Sequence, residues 1–507
     1  MIPQRARSLG LLPFAFGLLP LLAAPGCDHD PAPAPRCGAL GEPPCSCADA
    51  HKRPSGVCCP TWTAPNPAGE CLFQRWSLPS ATDAVGLPGT ILGQLFIDSN
   101  GAALASWGSP TPSGLSEMEI GEELSRGFWV SHPVSTALAG RTGSSYLAIG
   151  PDATAMFIWV EALLDEGIYV SERDSFGRWK DPVPGDSLSF PRGAVEPSIA
   201  SSPSGEWLAV WSQFTTTGTG AALARRRSFA DPWERPAAQD DVLSVPIFFV
   251  NAALIATDPH GDALIAWYQS NGGTLKTWVS ERKGPGGAFT RPGMNDFLSP
   301  PEAPVASGKP DNPMPALGPR GEAAVVWSQE DGAGQTSVYL ATREPGGPWQ
   351  KPNGLGDTFS PHAGITRGAV LAFGPQGDLH VVWSQRDKGN EVVYAARRAP
   401  NGHWIDRGTS PVQLSSPGTL AYSPALAIGP EGGVVVAWME TIGTRSRVLA
   451  RRTGSDRRTW TAIEPLSDDA LGNAGGPVVA VGPGDRALCG WTQGPFDRTQ
   501  VYFASLR

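Results

Sequence analysis

The stretch Pro424-Ala-Leu-Ala-Ile-Gly-Pro-Glu-Gly-Gly-Val-Val-Val-Ala-Trp438 decides how the rest of this chain is read. Two short apolar runs flank Gly429-Pro-Glu-Gly432, where proline second and glycine fourth suit a type I turn. The runs are too short for helices and rich in β-branched residues, so they read as two antiparallel strands. Trp438 stands six residues past the turn glycine, and that interval recurs along the chain. The equivalent tryptophans are Trp107, Trp159, Trp211, Trp267, Trp327, Trp383, Trp438 and Trp491, spaced 52 to 60 residues apart. The turn position holds Gly101, Ala153, Gly205, Gly261, Gly321, Gly377, Gly432 and Asp485. A period of this size means one supersecondary unit is copied and stacked, because a single copy cannot bury its own apolar faces.

Each copy carries two further strand signals. A third strand reads Val338-Tyr-Leu-Ala-Thr-Arg343, with relatives at 168–173, 277–282 and 393–398. A fourth is expected to open on an aromatic: Trp129, Trp179, Trp233, Phe289, Trp349, Trp404 or Trp460. Four strands in each of eight units predict an all-β fold, an eight-bladed β-propeller. The last unit stops after its third strand, Val501–Arg507, while an unattached fourth strand, Trp76-Ser-Leu-Pro79, precedes the first. The N-terminal strand is therefore expected to complete the last blade and close the ring. Seven blades is the alternative if the first unit (Ile91 to Pro133) is irregular.

Of 507 residues, 61 are glycine and 51 proline, which suits many tight turns. The net charge of −9 comes without a basic stripe, so nucleic acid is not an expected partner. Arg5 and Arg7 precede an apolar run from Leu9 to Ala24 broken by Gly and Pro, which reads as a signal peptide over residues 1–26. The run ends in Leu22-Ala-Ala-Pro-Gly-Cys27, which resembles the lipobox of bacterial lipoproteins. That resemblance implies lipidation of Cys27 and a membrane-anchored protein of the cell envelope. Ala24 and Pro25 depart from the usual pattern, so ordinary cleavage near Ala24, giving a periplasmic or secreted protein, stays open. A Pro-rich tether over 27–35 and a Cys-rich module over 36–75 then precede a propeller over 76–507. Cys37, Cys45, Cys47, Cys58, Cys59 and Cys71 make an even six, expected to pair as disulfides in an oxidising compartment. Their spacing lacks paired metal-ligand units, and neither a metal nor a cofactor is expected. Cys489 takes an Ala or Val position of the repeat and reads as a small buried residue.

The hairpin Thr342-Arg-Glu-Pro-Gly-Gly-Pro-Trp349 resembles the Asp-box of bacterial neuraminidase repeats, with Glu344 in place of the aspartate. Looser versions run from Ser171 to Trp179, where Asp174 and Gly177 are out of frame, from Arg397 to Trp404, and from Thr453 to Trp460. The resemblance implies a propeller, and in that family the box is a folding element away from the active site. A sialidase would also need three arginines on one carboxylate and a tyrosine–glutamate pair. Arg173, Arg226, Arg282, Arg343, Arg398, Arg452 and Arg507 share one repeat position, which spreads them around the ring as structural residues. Tyr146, Tyr268 and Tyr422 lie outside the third-strand pattern, and no local motif ties one to a glutamate.

Two residues past each tryptophan stands a polar side chain: Ser109, Glu161, Gln213, Gln269, Gln329, Gln385, Glu440 or Gln493. It reads as a ring of backbone-bonding groups, or alternatively as a set of equivalent lectin-type pockets. A single central pocket is expected instead where the copies disagree, at the loops entering the first strands. Those loops hold Glu196, Asn251, Asp311, Asn312, His362, Arg367, Tyr422 and Asn473. Between Asp240 and Asn251, the insertion with Ile247-Phe-Phe249 either overhangs that rim or extends a strand. No P-loop, nucleophile elbow, HExxH or EF-hand pattern occurs. The expected function is non-catalytic, with a monomer binding a glycan or an envelope protein. A carbohydrate-active enzyme, a sialidase-like hydrolase or a lyase, is the alternative.

Overall fold

A computed structural model describes residues 63–65, 71–73 and 76–506, apart from 111–115, 126, 135–141, 162–166, 184, 191–192, 246–248, 272–273, 302–310, 331–334, 361–364, 388, 407–410, 455–457 and 496–497. Among the described residues the protein is all-β, with short 3-10 turns and no α-helix. Its sheets are antiparallel and match the sequence units. Unit 2 is a four-stranded meander of Thr142–Ile149, Ala155–Glu161, Gly167–Arg173 and Trp179–Lys180. Units 1 and 5 repeat that order, while units 3 and 4 form sheets of three strands. One larger sheet joins units 6 and 7 through a parallel pairing of Glu391 with Leu420. The last sheet takes Trp76–Ser77 as its fourth strand, with Trp76 opposite Leu506 and Ser77 opposite Ser505. That is the closure expected from the unattached N-terminal strand.

The first strands lie inside and neighbour one another in chain order. They are Ile91–Ile97, Thr142–Ile149, Ala194–Ser201, Val250–Thr257, Asp311–Leu317, Thr366–Phe373, Leu420–Ile428 and Ala474–Val481, and the last packs against the first. The result is a β-propeller-like ring around a channel. All eight repeat tryptophans are fully buried in the second strands. Four stack on the cross-strand tyrosine of the third strand, Trp159 on Tyr169, Trp327 on Tyr339, Trp383 on Tyr394 and Trp491 on Tyr502, at 5.8–6.4 Å. Such pairs add roughly 0.5–1.5 kcal/mol each to the area they bury. Cys489 sits in the same core with no exposure, as its repeat position predicts.

One expectation needs correction. An aromatic does not open a full fourth strand in every unit. Trp404 and Trp460 make single bridges to Arg398 and Thr453, and the outer strands of units 6 and 7 are Val412–Gln413 and Glu464–Pro465. The cause is geometric: indole packing fixes the turn exit, while outer-edge pairing forms wherever the chain next runs alongside. In the hairpin after the third strand of unit 5, Glu344 pairs with Arg398 of the next unit. In the looser copy of unit 2, Asp174 caps its turn, its Oδ1 accepting from the backbone N–H groups of Phe176 (3.0 Å) and Arg178 (2.9 Å).

The third-strand arginines clasp one unit to the one before it. Arg173 pairs with Glu122, Arg226 with Glu172 (2.5 Å), Arg282 with Glu206 (2.6 Å) and Arg343 with Glu281 (3.0 Å). Arg452 pairs within its own unit, with Glu464 at 3.1 Å, and Arg486 joins the last unit to Glu123 of the first. Arg507 lies outside the described residues. So do Cys27, Cys37, Cys45, Cys47, Cys58 and Cys59, together with the segments read from the sequence as signal peptide and tether. Within the Cys-rich module, Thr63–Pro65 pairs with Cys71–Phe73, and Cys71 is described in its backbone alone.

Candidate functional site

A bulge interrupts each inner strand near its start, where pairing with the second strand shifts register. In most units the shift brings a left-handed residue: Glu196 (φ 53°), Ala252 (54°), Gly368 (61°), Ser423 (53°) and Gly476 (61°). Only glycine adopts this backbone without penalty, and other residues meet a cost of roughly 1–2 kcal/mol. The bulges re-aim the adjacent side chains at one mouth of the channel.

The residue before the bulge is Asn251, Asp311, Arg367 and Tyr422 in units 4 to 7, opposite Tyr268, Ser328, Ser384 and Met439. Four of the residues expected at the rim are therefore equivalent around it, and Glu196 stands one step further along its strand. Asp311, Asn312 and Arg367 are described in their backbone alone, and His362 lies outside the described residues. Tyr422 stays in its own unit, its hydroxyl 3.3 Å from Thr441 Oγ1. Asn473 is exposed, and its Oδ1 accepts from the Ser446 N–H at 3.1 Å.

Glu196 and Asn251 are brought together across the boundary between units 3 and 4. Glu196 Oε2 accepts from the backbone N–H of Ala252 at 2.6 Å. The Asn251 amide satisfies both its neighbours when its Nδ2 donates to Glu196 and its Oδ1 accepts from the Tyr268 hydroxyl at 2.8 Å. A half-buried chain of hydroxyl, amide and carboxylate results. No local sequence pattern ties Tyr268 to a glutamate, because the link runs through a cross-strand partner 17 residues away.

Exposed apolar side chains stand on the same strands and loops as this chain. Phe249, just before the inner strand of unit 4, is 67% exposed, and Phe214, at the end of the second strand of unit 3, is 44% exposed. At the end of the insertion the Phe249 carbonyl accepts from the Ser270 N–H at 3.1 Å, which continues the pairing of Val250 with Gln269. Phe214 lies across Gly193, where an added Cβ would come within 1.7 Å of the ring. Exposed Val195 stands next to Glu196 in sequence.

The equivalent-pocket reading of the Trp-x-Gln positions is overturned. Gln213, Gln269, Gln329, Gln385 and Gln493 are at most 1% exposed, and each accepts from the indole N–H of its own tryptophan at 2.9–3.2 Å. Gln269 Nε2 donates to the Val245 carbonyl (2.6 Å), and Gln493 Nε2 to those of Asp468 (2.5 Å) and Gly472 (2.9 Å). Buried against their own tryptophans, these glutamines form no equivalent open pockets.

Lys276, opposite Gln269, carries no signal in the sequence. It is buried, donates to the carbonyls of Pro300 (2.6 Å) and Pro301 (3.0 Å), and lies 5.0 Å from the Phe297 ring centre. Burial lowers its pKa to about 8. Among the described residues no group of His, Cys, Asp and Glu is arranged to hold a metal ion.

No family model matches the chain, and no curated protein matches it. Solved structures resemble it distantly. A polysaccharide lyase, the PL25 ulvan lyase bound to a GlcA-Rha3S repeat, is 10% identical over 70% of this chain and 90% of its own, with a TM-score of 0.44. A protein of unknown function from Dyadobacter fermentans is 12% identical over 85% and 97%, with a TM-score of 0.40. A Hadza microbial sialidase is 12% identical over 85% and 95%, with a TM-score of 0.37. Likenesses this weak transfer no residue and no activity to this chain.

Proposed function

We propose that this protein is an exported, eight-bladed propeller that takes a polysaccharide across the rim formed by Glu196, Asn251 and Tyr268. The observation that carries the proposal is this hydrogen-bonded chain, at a channel mouth beside exposed Phe214 and Phe249. Amide and carboxylate groups select sugar hydroxyls, while apolar and aromatic surface covers the C–H faces of the ring. The eight units, the buried Trp–Gln pairs and the closing strand support the propeller reading.

Once bound, the glycan has two possible fates. The protein can hold it unchanged, or cleave it. Tyr268 favours cleavage, because a phenol held at the rim by the Asn251 amide can itself donate a proton to a leaving oxygen or, once ionised, accept one from a carbon. Glu196 is the carboxylate at the bulge level whose side chain is described, so the paired carboxylates of ordinary glycoside hydrolysis are not assembled from the described side chains. A tyrosine at this place suits elimination from a uronic acid better. The test is to incubate the protein with uronate-rich and neutral polysaccharides, monitoring binding, new reducing ends and ultraviolet-absorbing unsaturated products. Glu196→Gln and Asn251→Ala are expected to weaken binding about tenfold with the unfolding midpoint kept. Tyr268→Phe is expected to stop cleavage and spare binding. Binding without product, in wild type and Tyr268→Phe alike, leaves the non-catalytic reading. Binding unaffected by Glu196→Gln and Asn251→Ala overturns the site.

The N-terminal sequence supports export and lipidation of Cys27, with the six remaining N-terminal cysteines paired as disulfides. Cys27→Ser should then release the protein from membranes, and unchanged membrane association would refute the anchor.

A further inference from the structure

The inner strands end at a second channel mouth, five residues beyond Glu196 along its strand and so roughly 16 Å away. A cavity of about 320 Å³ lies there, walled by Ile97, Ile149, Ile428 and Val481 and rimmed by turn prolines such as Pro151 and Pro430. The lining also includes Ser99 and Tyr146, and two of its hydroxyls, those of Ser201 and Thr257, tie inner strands together. Ser201 Oγ donates to the Ile149 carbonyl at 2.8 Å, and Thr257 Oγ1 to the Ser201 carbonyl at 2.5 Å. A cavity lined mainly by apolar side chains accepts apolar guests.

The charged side chains that line the mouth are acidic, while Arg486 and Arg173 bond the carbonyls of Gly101 and Ala153 in the same turns and are paired with Glu123 and Glu122. Asp98 and exposed Asp152 belong to the lining, which includes no Lys, Arg or His. Asp98 Oδ1 is occupied by the turn N–H groups of Asn100 (2.9 Å) and Ala102 (2.8 Å). An anionic group entering between these acids meets repulsion, and a neutral or cationic one does not.

We propose that this cavity binds an unbranched aliphatic chain of about ten non-hydrogen atoms, taking roughly 30 Å³ for each, whose head group is neutral or cationic. The site is separate from the rim at Glu196 and does not depend on the polysaccharide reading.

The experiment titrates the full-length protein with phenylnaphthylamine, a neutral fluorescent probe, and displaces it with decanol, decylamine or decanoate. Saturable binding is expected, with decanol and decylamine displacing the probe at concentrations about tenfold lower than decanoate. Ile428→Trp, which fills the cavity, should weaken the probe about tenfold with the unfolding midpoint kept, and Val481→Phe serves if that variant does not fold. Asp152→Asn should narrow the preference for amine over acid and leave decanol unchanged. Absence of saturable binding, or binding indifferent to both filling variants, overturns the site. Equal displacement by decanoate and decylamine overturns the head-group assignment.

Discussion

Among single residues, Lys276 stands furthest from its repeat equivalents, which include Gly220, Ser337 and Val392. It has two carbonyls and a ring for company, and its pKa falls to about 8 because burial penalises the ammonium. An unfolded lysine titrates near 10.4. Between these values the unfolded chain binds a proton that the folded chain does not, so stability should rise with pH across that window. Below about pH 8 both states are protonated and the penalty is present in full. Urea unfolding at about pH 7 and about pH 10 should show a rise of about 1–3 kcal/mol that Lys276→Met removes. A rise of equal size in the variant would show that another group is responsible. Nothing in the sequence marks this lysine, because a lysine in a repeat reads as solvated until its neighbours are known.

Among elements, the second strand was the most legible. Trp267 and its counterparts recur because one strand position must fill the space between neighbouring sheets. The polar residue two places on resembles a ligand group in the sequence, yet it caps its own tryptophan. Gln269→Ala would leave the Trp267 indole N–H and the Val245 carbonyl unsatisfied in a dry core. Thermal or chemical unfolding should register a loss of about 1–3 kcal/mol, with polysaccharide and probe binding unchanged. Outer strands were poorly legible, since a two-residue pairing such as Val412–Gln413 leaves no periodic trace. The candidate site was half legible. Glu196 and Asn251 stand out as departures from the repeat, but Tyr268 joins them only through register across the bulge.

For the whole molecule, the same regularity that exposes the architecture hides the function. Seven arginines at one repeat position suggest a structural role, but the sequence does not name the partners of the described ones. Those partners are Glu122, Glu172, Glu206, Glu281, Glu344 and Glu464, and most of them come from a neighbouring sheet. The arginines of these pairs are buried, so removing a glutamate leaves an uncompensated buried charge. They hold adjacent sheets in fixed register and thereby fix the spacing of the bulges. The rim at Glu196 is thus positioned by contacts on the flanks of the sheets, well away from it.

The pairing of Trp76 with Leu506 has one more consequence. Because the first and last strands of the ring are direct neighbours, the order of the units along the polypeptide is a convention of where translation begins. A circular permutant joined at that pair and opened at a turn such as Gly429–Gly432 would keep every sheet beside the same two neighbours.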